Sequence, residues 1–224
     1  MTGVESLYPF LYSNENEDQD RQSGAVLAEV ARSTREKVAE IDRLRGTVAA
    51  AEAARLAECA MAMARRFTGG GRLFSFGNGG SSTDAGAVAG LFLAPGPAAR
   101  PLPAISLTDD VATLTALAND VSFEVVFARP LAAAGRPADI ALGLSTSGGS
   151  RNVLRAFTEA HRLGMLTVGL AGYTGGAMAE AAERGEIDYL FVMPSQSVHR
   201  IQEAQTTTYH VLWELTQRAL ADEP

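Results

Sequence analysis

Arg72-Leu73-Phe74-Ser75-Phe76-Gly77-Asn78-Gly79-Gly80 is the stretch of sequence that decides the fold. An apolar run of strand length ends in a turn with three glycines, and a helical pattern follows over Asp84–Leu93. Glycine permits the positive φ angles and the close backbone approach that a tight strand-to-helix turn needs. This succession of strand, glycine turn and helix is typical of a parallel sheet with crossover helices.

The same alternation continues to the end of the chain. The expected strands are Arg72–Phe76, Leu102–Leu107, Ile140–Leu144, Leu166–Leu170 and Ile187–Val192. The expected helices are Asp84–Leu93, Val111–Ala118, Ser122–Ala134, Asn152–Leu163, Gly176–Glu183 and about His199 to Leu220. The pattern therefore predicts an α/β fold, a five-stranded parallel sheet doubly wound by helices.

Two helices are expected before the sheet. Apolar residues recur at helical spacing from about residue 21, and a second, alanine-rich helix is expected over Val48–Phe67. Its small side chains permit close approach of helices, which favours an oligomer built on this region. Residues 1–20 are expected to form a flexible acidic arm, or alternatively an arm whose aromatic residues pack on a neighbouring subunit. Residues 21–224 are expected to form a single domain.

Composition excludes several classes of protein. The 224 residues carry 26 acidic against 19 basic side chains, a formal net charge of −7, which argues against a nucleic-acid partner. No apolar run is long enough to span a bilayer, and the first six residues show neither the basic n-region nor the apolar h-region of a signal peptide. The single cysteine, Cys59, forms no internal disulfide. We therefore expect a cytoplasmic protein without a membrane partner.

A second loop of small residues follows the third expected strand. Ser145-Thr146-Ser147-Gly148-Gly149-Ser150 places four hydroxyl groups within six residues, more than helix capping requires. Hydroxyls and backbone N–H groups at a helix start bind phosphate oxygens without a lysine. Neither loop has the Gly-Lys-Ser/Thr ending of a nucleoside triphosphate site or a complete dinucleotide fingerprint. The two loops therefore predict a site for a small phosphorylated molecule.

Further polar residues lie in two places. Gln202, Glu203 and His210 fall on one side of the last helix, where buried polar groups must meet a ligand or each other. For His210 a hydrogen-bonded structural role remains the alternative. Asn119-Asp120 is expected in a turn between two helices.

These motifs together resemble a known family. Gly77-Asn78-Gly79-Gly80-Ser81 with Asp84-Ala85, then Asn119-Asp120, Ser145–Ser150 and Arg200-Ile201-Gln202-Glu203 occur in the order seen in the sugar isomerase (SIS) fold, in its phosphoheptose isomerase branch. The resemblance covers residues 24–218. It implies aldose–ketose isomerisation of sedoheptulose 7-phosphate by a homotetramer with active sites between subunits. The substrate contacts that it implies are Asn78, Gly79, Gly80, Ser81, Asn119, Asp120, Ser145, Thr146, Ser147, Ser150 and Gln202.

One departure from the family affects metal binding. The family carries a histidine and a glutamate, four residues apart, as zinc ligands on the helix after the first loop, and the glutamate acts as base. This sequence has Ala87 and Leu91 there, which leaves Gln202 and His210 of the four family ligands. An amide and one imidazole do not hold zinc. We therefore expect neither a metal nor another cofactor.

The loss of the family base leaves two hypotheses open. In the first, the protein is a metal-free isomerase in which Glu203 or His210 abstracts the proton and the other shuttles it to oxygen. In the second, it is a non-catalytic SIS module that binds a sugar phosphate or a partner protein.

Overall fold

A computed structural model of the chain describes residues 16–97 and 99–222, and these form a five-stranded parallel sheet with helices between the strands. The strands are β1 (Leu73–Gly77), β2 (Ala104–Ser106), β3 (Ile140–Ser145), β4 (Leu166–Gly172) and β5 (Tyr189–Met193). The helices are α1 (Asn16–Thr68), α2 (Gly80–Leu93), α3 (Val111–Asp120), α4 (Ala128–Ala134), α5 (Arg151–Arg162), α6 (Gly176–Glu183) and α7 (Val198–Asp222). The predicted fold class is confirmed.

The strand order is β2-β1-β3-β4-β5, so β1 and β3 are neighbours in the sheet although β2 separates them along the chain. Every residue of β1, β3 and β4 is buried, as expected for parallel strands covered on both faces. The Phe76 ring lies 5.6 Å from that of Phe127 and 5.4 Å from that of Phe157. A Cβ at Gly143 would approach two of these rings to 2.6 Å, so a glycine is required there.

The expectation of two helices before the sheet is wrong in one respect, because α1 is continuous over 53 residues. Gly46 lies inside it, with nothing within 4 Å of the place where a Cβ would stand. A single helical glycine costs only about 1 kcal/mol relative to alanine, and no proline is present to stop the helix. The chain divides into two compact units, one ending at Asp42 and one beginning at Arg43.

Two other elements differ from the expectation by more than two residues at a boundary. Helix α2 begins at Gly80 rather than Asp84, so Gly80 and Ser81 belong to the helix. The expected helix over 122–134 is a turn of 3₁₀ helix at Phe123–Val125 followed by α4. Pro130 explains the second difference, because proline is tolerated only in the first turn of an α-helix.

The expected acidic arm, residues 1–20, falls largely outside the described residues, which begin with α1 at Asn16. Among the helices described here, none combines the length and the apolar character needed to cross a membrane.

Candidate functional site

The two small-residue loops leave neighbouring strands at the same edge of the sheet. Gly77 at the end of β1 is in register with Leu144 of β3, so the loops after these strands emerge side by side. In the sheet, β2 lies on one side of β1, and β3, β4 and β5 lie on the other side. Open α/β sheets bind ligands in the crevice at such a topological switch point, here between β1 and β3. The fold therefore brings both predicted loops to one place.

The first loop depends on its glycines. A Cβ at Gly77 would lie 2.6 Å from the Ser81 carbonyl oxygen, and Gly79 has a φ of 57°. Because the N-cap of α2 is Gly79, no side chain caps this helix. Ser81 is buried in its first turn, whereas Gly79 and Gly80 are exposed.

Asn78 joins the first loop to the helix that follows the second. Its amide Nδ2 donates to Asn152 Oδ1 at 2.8 Å, and Asn152 Nδ2 donates back to Asn78 Oδ1 at 2.8 Å. Asn152 is 3% exposed. This reciprocal pair holds the start of α5 beside the first loop, so Asn78 has a structural role in addition to the substrate contact that was predicted for it.

Two of the four hydroxyl groups of the second loop lie close together. Ser145 Oγ and Ser150 Oγ are 3.1 Å apart, and Gly149 N donates to Ser147 Oγ at 3.2 Å. Gly148 has a φ of 65°, and a Cβ there would lie 1.9 Å from the Gly175 carbonyl oxygen. Ser150 is the N-cap of α5, yet its hydroxyl makes no capping hydrogen bond.

Helix α7 reaches the first loop through Gln202. A Cβ at Gly80 would lie 2.2 Å from Gln202 Nε2, so the glycine makes room for this amide. Gln202 is half-buried, as is Thr206 one turn later. Helix α7 therefore contacts the first loop at Gly80.

The two predicted proton-transfer residues stand apart on α7. The Glu203 carboxylate forms an ion pair with Arg200, whereas His210 is exposed and stacks on Tyr209 with ring centroids 5.2 Å apart. Seven residues of helix separate Glu203 from His210 by about 10.5 Å along the axis. One chain therefore presents them at two different levels of the helix.

Asn119 and Asp120 lie in the last turn of α3 rather than in a turn between helices. Both are exposed, and Asn119 Nδ2 donates to Asp120 Oδ1 at 2.7 Å.

Comparison with known proteins assigns the family. The SIS domain profile matches residues 38–172, more than half of the chain. The chain belongs to the SIS domain family. A phosphoheptose isomerase of Aquifex aeolicus is 43% identical over 157 residues, 68% of this chain and 78% of that protein. A phosphoheptose isomerase of Roseiflexus is 40% identical over 186 residues, which cover 83% of this chain and 91% of that protein.

The solved structures agree with this assignment. A phosphoheptose isomerase from Francisella tularensis superposes with a TM-score of 0.78 at 33% identity, covering 84% of this chain and 98% of that one. The resemblance inferred from the motifs, both to the SIS fold and to its phosphoheptose isomerase branch, is confirmed.

The zinc site of the family does not fit the residues of this SIS domain. Ala87 is exposed and Leu91 is half-buried on α2, and neither side chain has a donor atom. Among the described residues, no three His, Cys, Asp or Glu side chains are grouped so that they could hold a metal ion. Gln202 and His210 remain as one amide and one imidazole, too few ligands for a zinc site.

Asp84 is a functional candidate to which the sequence analysis assigned no role. Burial raises the pKa of its carboxyl, and Gln202 and Tyr209, which face it from α7, oppose that rise. Its Oδ2 atom is buried and has no hydrogen-bond partner within the described part of the chain. Burial likewise raises the pKa of Tyr209, and the nearby Asp84 carboxyl raises it further. The sequence offered one signal for this role: a carboxylate in the second turn of the helix that follows the glycine loop.

Proposed function

We propose that this protein binds a small phosphorylated sugar and converts it between aldose and ketose without a metal ion. The observation that carries the proposal is the meeting of both glycine and serine loops at the switch point between β1 and β3, with Gln202 of α7 packed on the first loop. The relatives named phosphoheptose isomerase support the same reaction class.

The phosphate group is assigned to the second loop. Ser145, Thr146, Ser147 and Ser150 offer hydroxyl donors, and α5 begins there with no side-chain cap. Uncapped N–H groups and the positive end of the helix dipole favour a dianion at this position. Gly79, Gly80 and Ser81, together with Asn78 and Gln202, are assigned to the sugar. Asn119 and Asp120 complete the proposed set of substrate contacts.

Isomerisation requires one group to take a proton from the carbon next to the carbonyl and to return it to the neighbouring carbon. Glu203 and His210 are the proposed groups, with one acting on carbon and the other on oxygen. Their separation along α7 and the exposure of His210 suit a site between subunits of a homotetramer, in which different chains supply the two groups. Asp84 is a third candidate, because it faces Gln202 beside the first loop.

A second function is favoured by one observation. Ala87 and Leu91 give α2 an apolar surface where the family carries its base, while the phosphate loops are intact. Loss of the base with retention of the binding loops is the pattern expected of a sugar-phosphate sensor, or of a tetramer that binds another protein.

The decisive experiment follows sedoheptulose 7-phosphate by NMR with the protein, with and without EDTA. Turnover that EDTA leaves unchanged supports the metal-free isomerase, and turnover that EDTA abolishes contradicts it. Thermal stabilisation by the sugar without turnover supports the binding module, and no response of either kind contradicts both.

Variants then assign the proton-transfer groups. Glu203→Gln combined with His210→Asn is expected to abolish turnover, and Asp84→Asn is measured separately because its carboxyl lies elsewhere in the site. Glu214→Gln, an exposed carboxylate further along α7, is the matched control and should leave turnover unchanged. Retained turnover in the double variant would remove Glu203 and His210 from the mechanism.

A further inference from the structure

We propose that Arg151 and Glu124 form a charge switch beside the second loop, in which Arg151 leaves Glu124 to bind the phosphate group of the ligand. The inference rests on the proposed phosphate site and adds a cationic residue to it. This pair belongs neither to the loop motifs nor to the proposed substrate contacts.

Arg151 lies at the start of a helix, where a cation is disfavoured. It follows Ser150 directly and is the first residue of α5, so its side chain starts where the serine loop ends. The positive end of the helix dipole lies there and disfavours a cation in the first turn. Arg151 therefore does not stabilise its own helix, and its placement suits an anion that the same helix end attracts.

Arg151 is held by an exposed ion pair with Glu124. Its Nη1 lies 3.1 Å from Glu124 Oε1, and its side chain is 82% exposed. Glu124 belongs to the 3₁₀ turn after α3, so the pair joins two different elements. An ion pair this exposed is weak, because water screens the attraction and the long arginine side chain loses entropy in it.

Glu124 also faces a second cation, Arg155. Arg155, one turn further along α5, places its Nε 3.4 Å from Glu124 Oε2, the other carboxylate oxygen. When Arg151 leaves, Glu124 still faces Arg155 and no carboxylate is left without an ion-pair partner. The exchange therefore replaces one weak ion pair and creates no unpaired charge.

A phosphate monoester is the better partner for the released guanidinium. It carries a charge of about −1.5 to −2 at neutral pH, and arginine binds it with two parallel hydrogen bonds. A carboxylate ligand offers less charge, and an uncharged sugar none. The switch therefore favours phosphorylated ligands over sugar acids and free sugars.

Binding of inorganic phosphate, measured by isothermal titration calorimetry at low ionic strength, tests the switch. Arg151→Gln should raise the Kd about fivefold, because an exposed arginine contact is worth at most that much. Glu124→Gln should lower the Kd, since it releases Arg151 in advance. The double variant should bind like Arg151→Gln alone, because Glu124 acts through Arg151.

The matched control is Glu159→Gln, which breaks the 2.6 Å pair with Arg162 at the far end of the same helix and should leave the Kd unchanged. Equal Kd values for wild type, Arg151→Gln and Glu124→Gln would overturn the switch, as would additive effects in the double variant. Circular dichroism melts confirm that each variant is folded.

The outcomes separate this inference from the proposed function. If the wild type binds no phosphate, the phosphate site and the switch both fail. If phosphate binding depends on Arg151 but sedoheptulose 7-phosphate is not turned over, the isomerase proposal fails and the switch stands.

Discussion

Gln205 is completely buried on α7, and neither its amide oxygen nor its amide nitrogen has a hydrogen-bond partner among the described residues. A buried polar group without a partner costs about 1–3 kcal/mol. We expect Gln205→Leu, which keeps a similar volume, to raise the free energy of unfolding by about that amount. Thermal denaturation followed by circular dichroism measures the change.

Gln217 provides the control for this prediction. Its side chain accepts from Arg100 N at 3.0 Å and donates to Arg100 O at 2.8 Å. Gln217→Leu loses both hydrogen bonds and should lower the melting temperature. If the two variants shift it in the same direction, the argument about hydrogen-bond satisfaction is wrong.

Asp84 should make stability depend on pH. Because burial raises its pKa, the folded chain holds this proton more tightly than the unfolded chain does. The stability that the protonated Asp84 carboxyl adds to the folded chain is therefore fully present below the pKa of Asp84 in the unfolded chain, about 3.9. It is lost as pH rises through the higher pKa of Asp84 in the folded chain. We expect the free energy of unfolding of wild type minus that of Asp84→Asn to fall as pH rises through this window. Denaturant titrations at several pH values measure it, and a constant difference would contradict the shift.

At the scale of single elements, α1 offers a test of its continuity. We expect Gly46→Ala to raise the free energy of unfolding by about 0.5–1 kcal/mol, because alanine is the better helix former and its Cβ meets nothing. Gly70, just after α1, also has open space around it but a φ of 78°, so Gly70→Ala should destabilise. Chemical denaturation measures the free energy of unfolding of both variants. A destabilising Gly46→Ala would instead indicate two helices joined at that residue.

The second loop contains a matched pair of glycines. We expect Gly148→Ala to destroy phosphate binding, because its φ is positive and the new Cβ would collide with the Gly175 carbonyl oxygen. Gly149→Ala meets only Ser147 Oγ, at 3.7 Å, and should keep binding. Titration with inorganic phosphate distinguishes the two, and equal binding by both variants would show that the loop geometry is not required.

At the scale of the whole molecule, α1 carries apolar side chains that are exposed in the single chain. Val26, Leu27, Val30 and Val38 are 58%, 69%, 55% and 59% exposed. If they cover one another in the proposed homotetramer, light scattering should give four times the chain mass of 23.5 kDa. We expect Val30→Asn with Val38→Asn to give smaller species, whereas Arg35→Gln, also exposed on α1, should not. A monomeric wild type would contradict the proposal.

Local sequence was sufficient for the order of the five strands and for the helical connections between them. Buried parallel strands are nearly continuous apolar runs, and glycine turns separate them from helices, so β1, β3 and β4 were predicted to within two residues. The predicted starts of α2 and α4 were wrong because two local sequence signals compete at each of them. The backbone began its helix at Gly80 despite the glycines, and Pro130 rather than helical periodicity set the start of α4.

The prediction of a phosphate site rests on residue type and order alone. The loop residues, their hydroxyl groups and the substitutions at Ala87 and Leu91 are properties of residue type and order, which no folding step alters. They were enough to predict a phosphate site without a zinc ligand set, before any distance was known.

Tertiary structure alone decided which of these groups meet. The pairing of Asn78 with Asn152, the packing of Gln202 on Gly80, the burial of Asp84 and the sharing of Glu124 by two arginines all join residues far apart in sequence. Sequence periodicity reports only the neighbours along one element, whereas burial, pKa and ion pairing depend on how the elements pack. The loops of this SIS domain could therefore be recognised from the residues, and the charges beside them only from the fold.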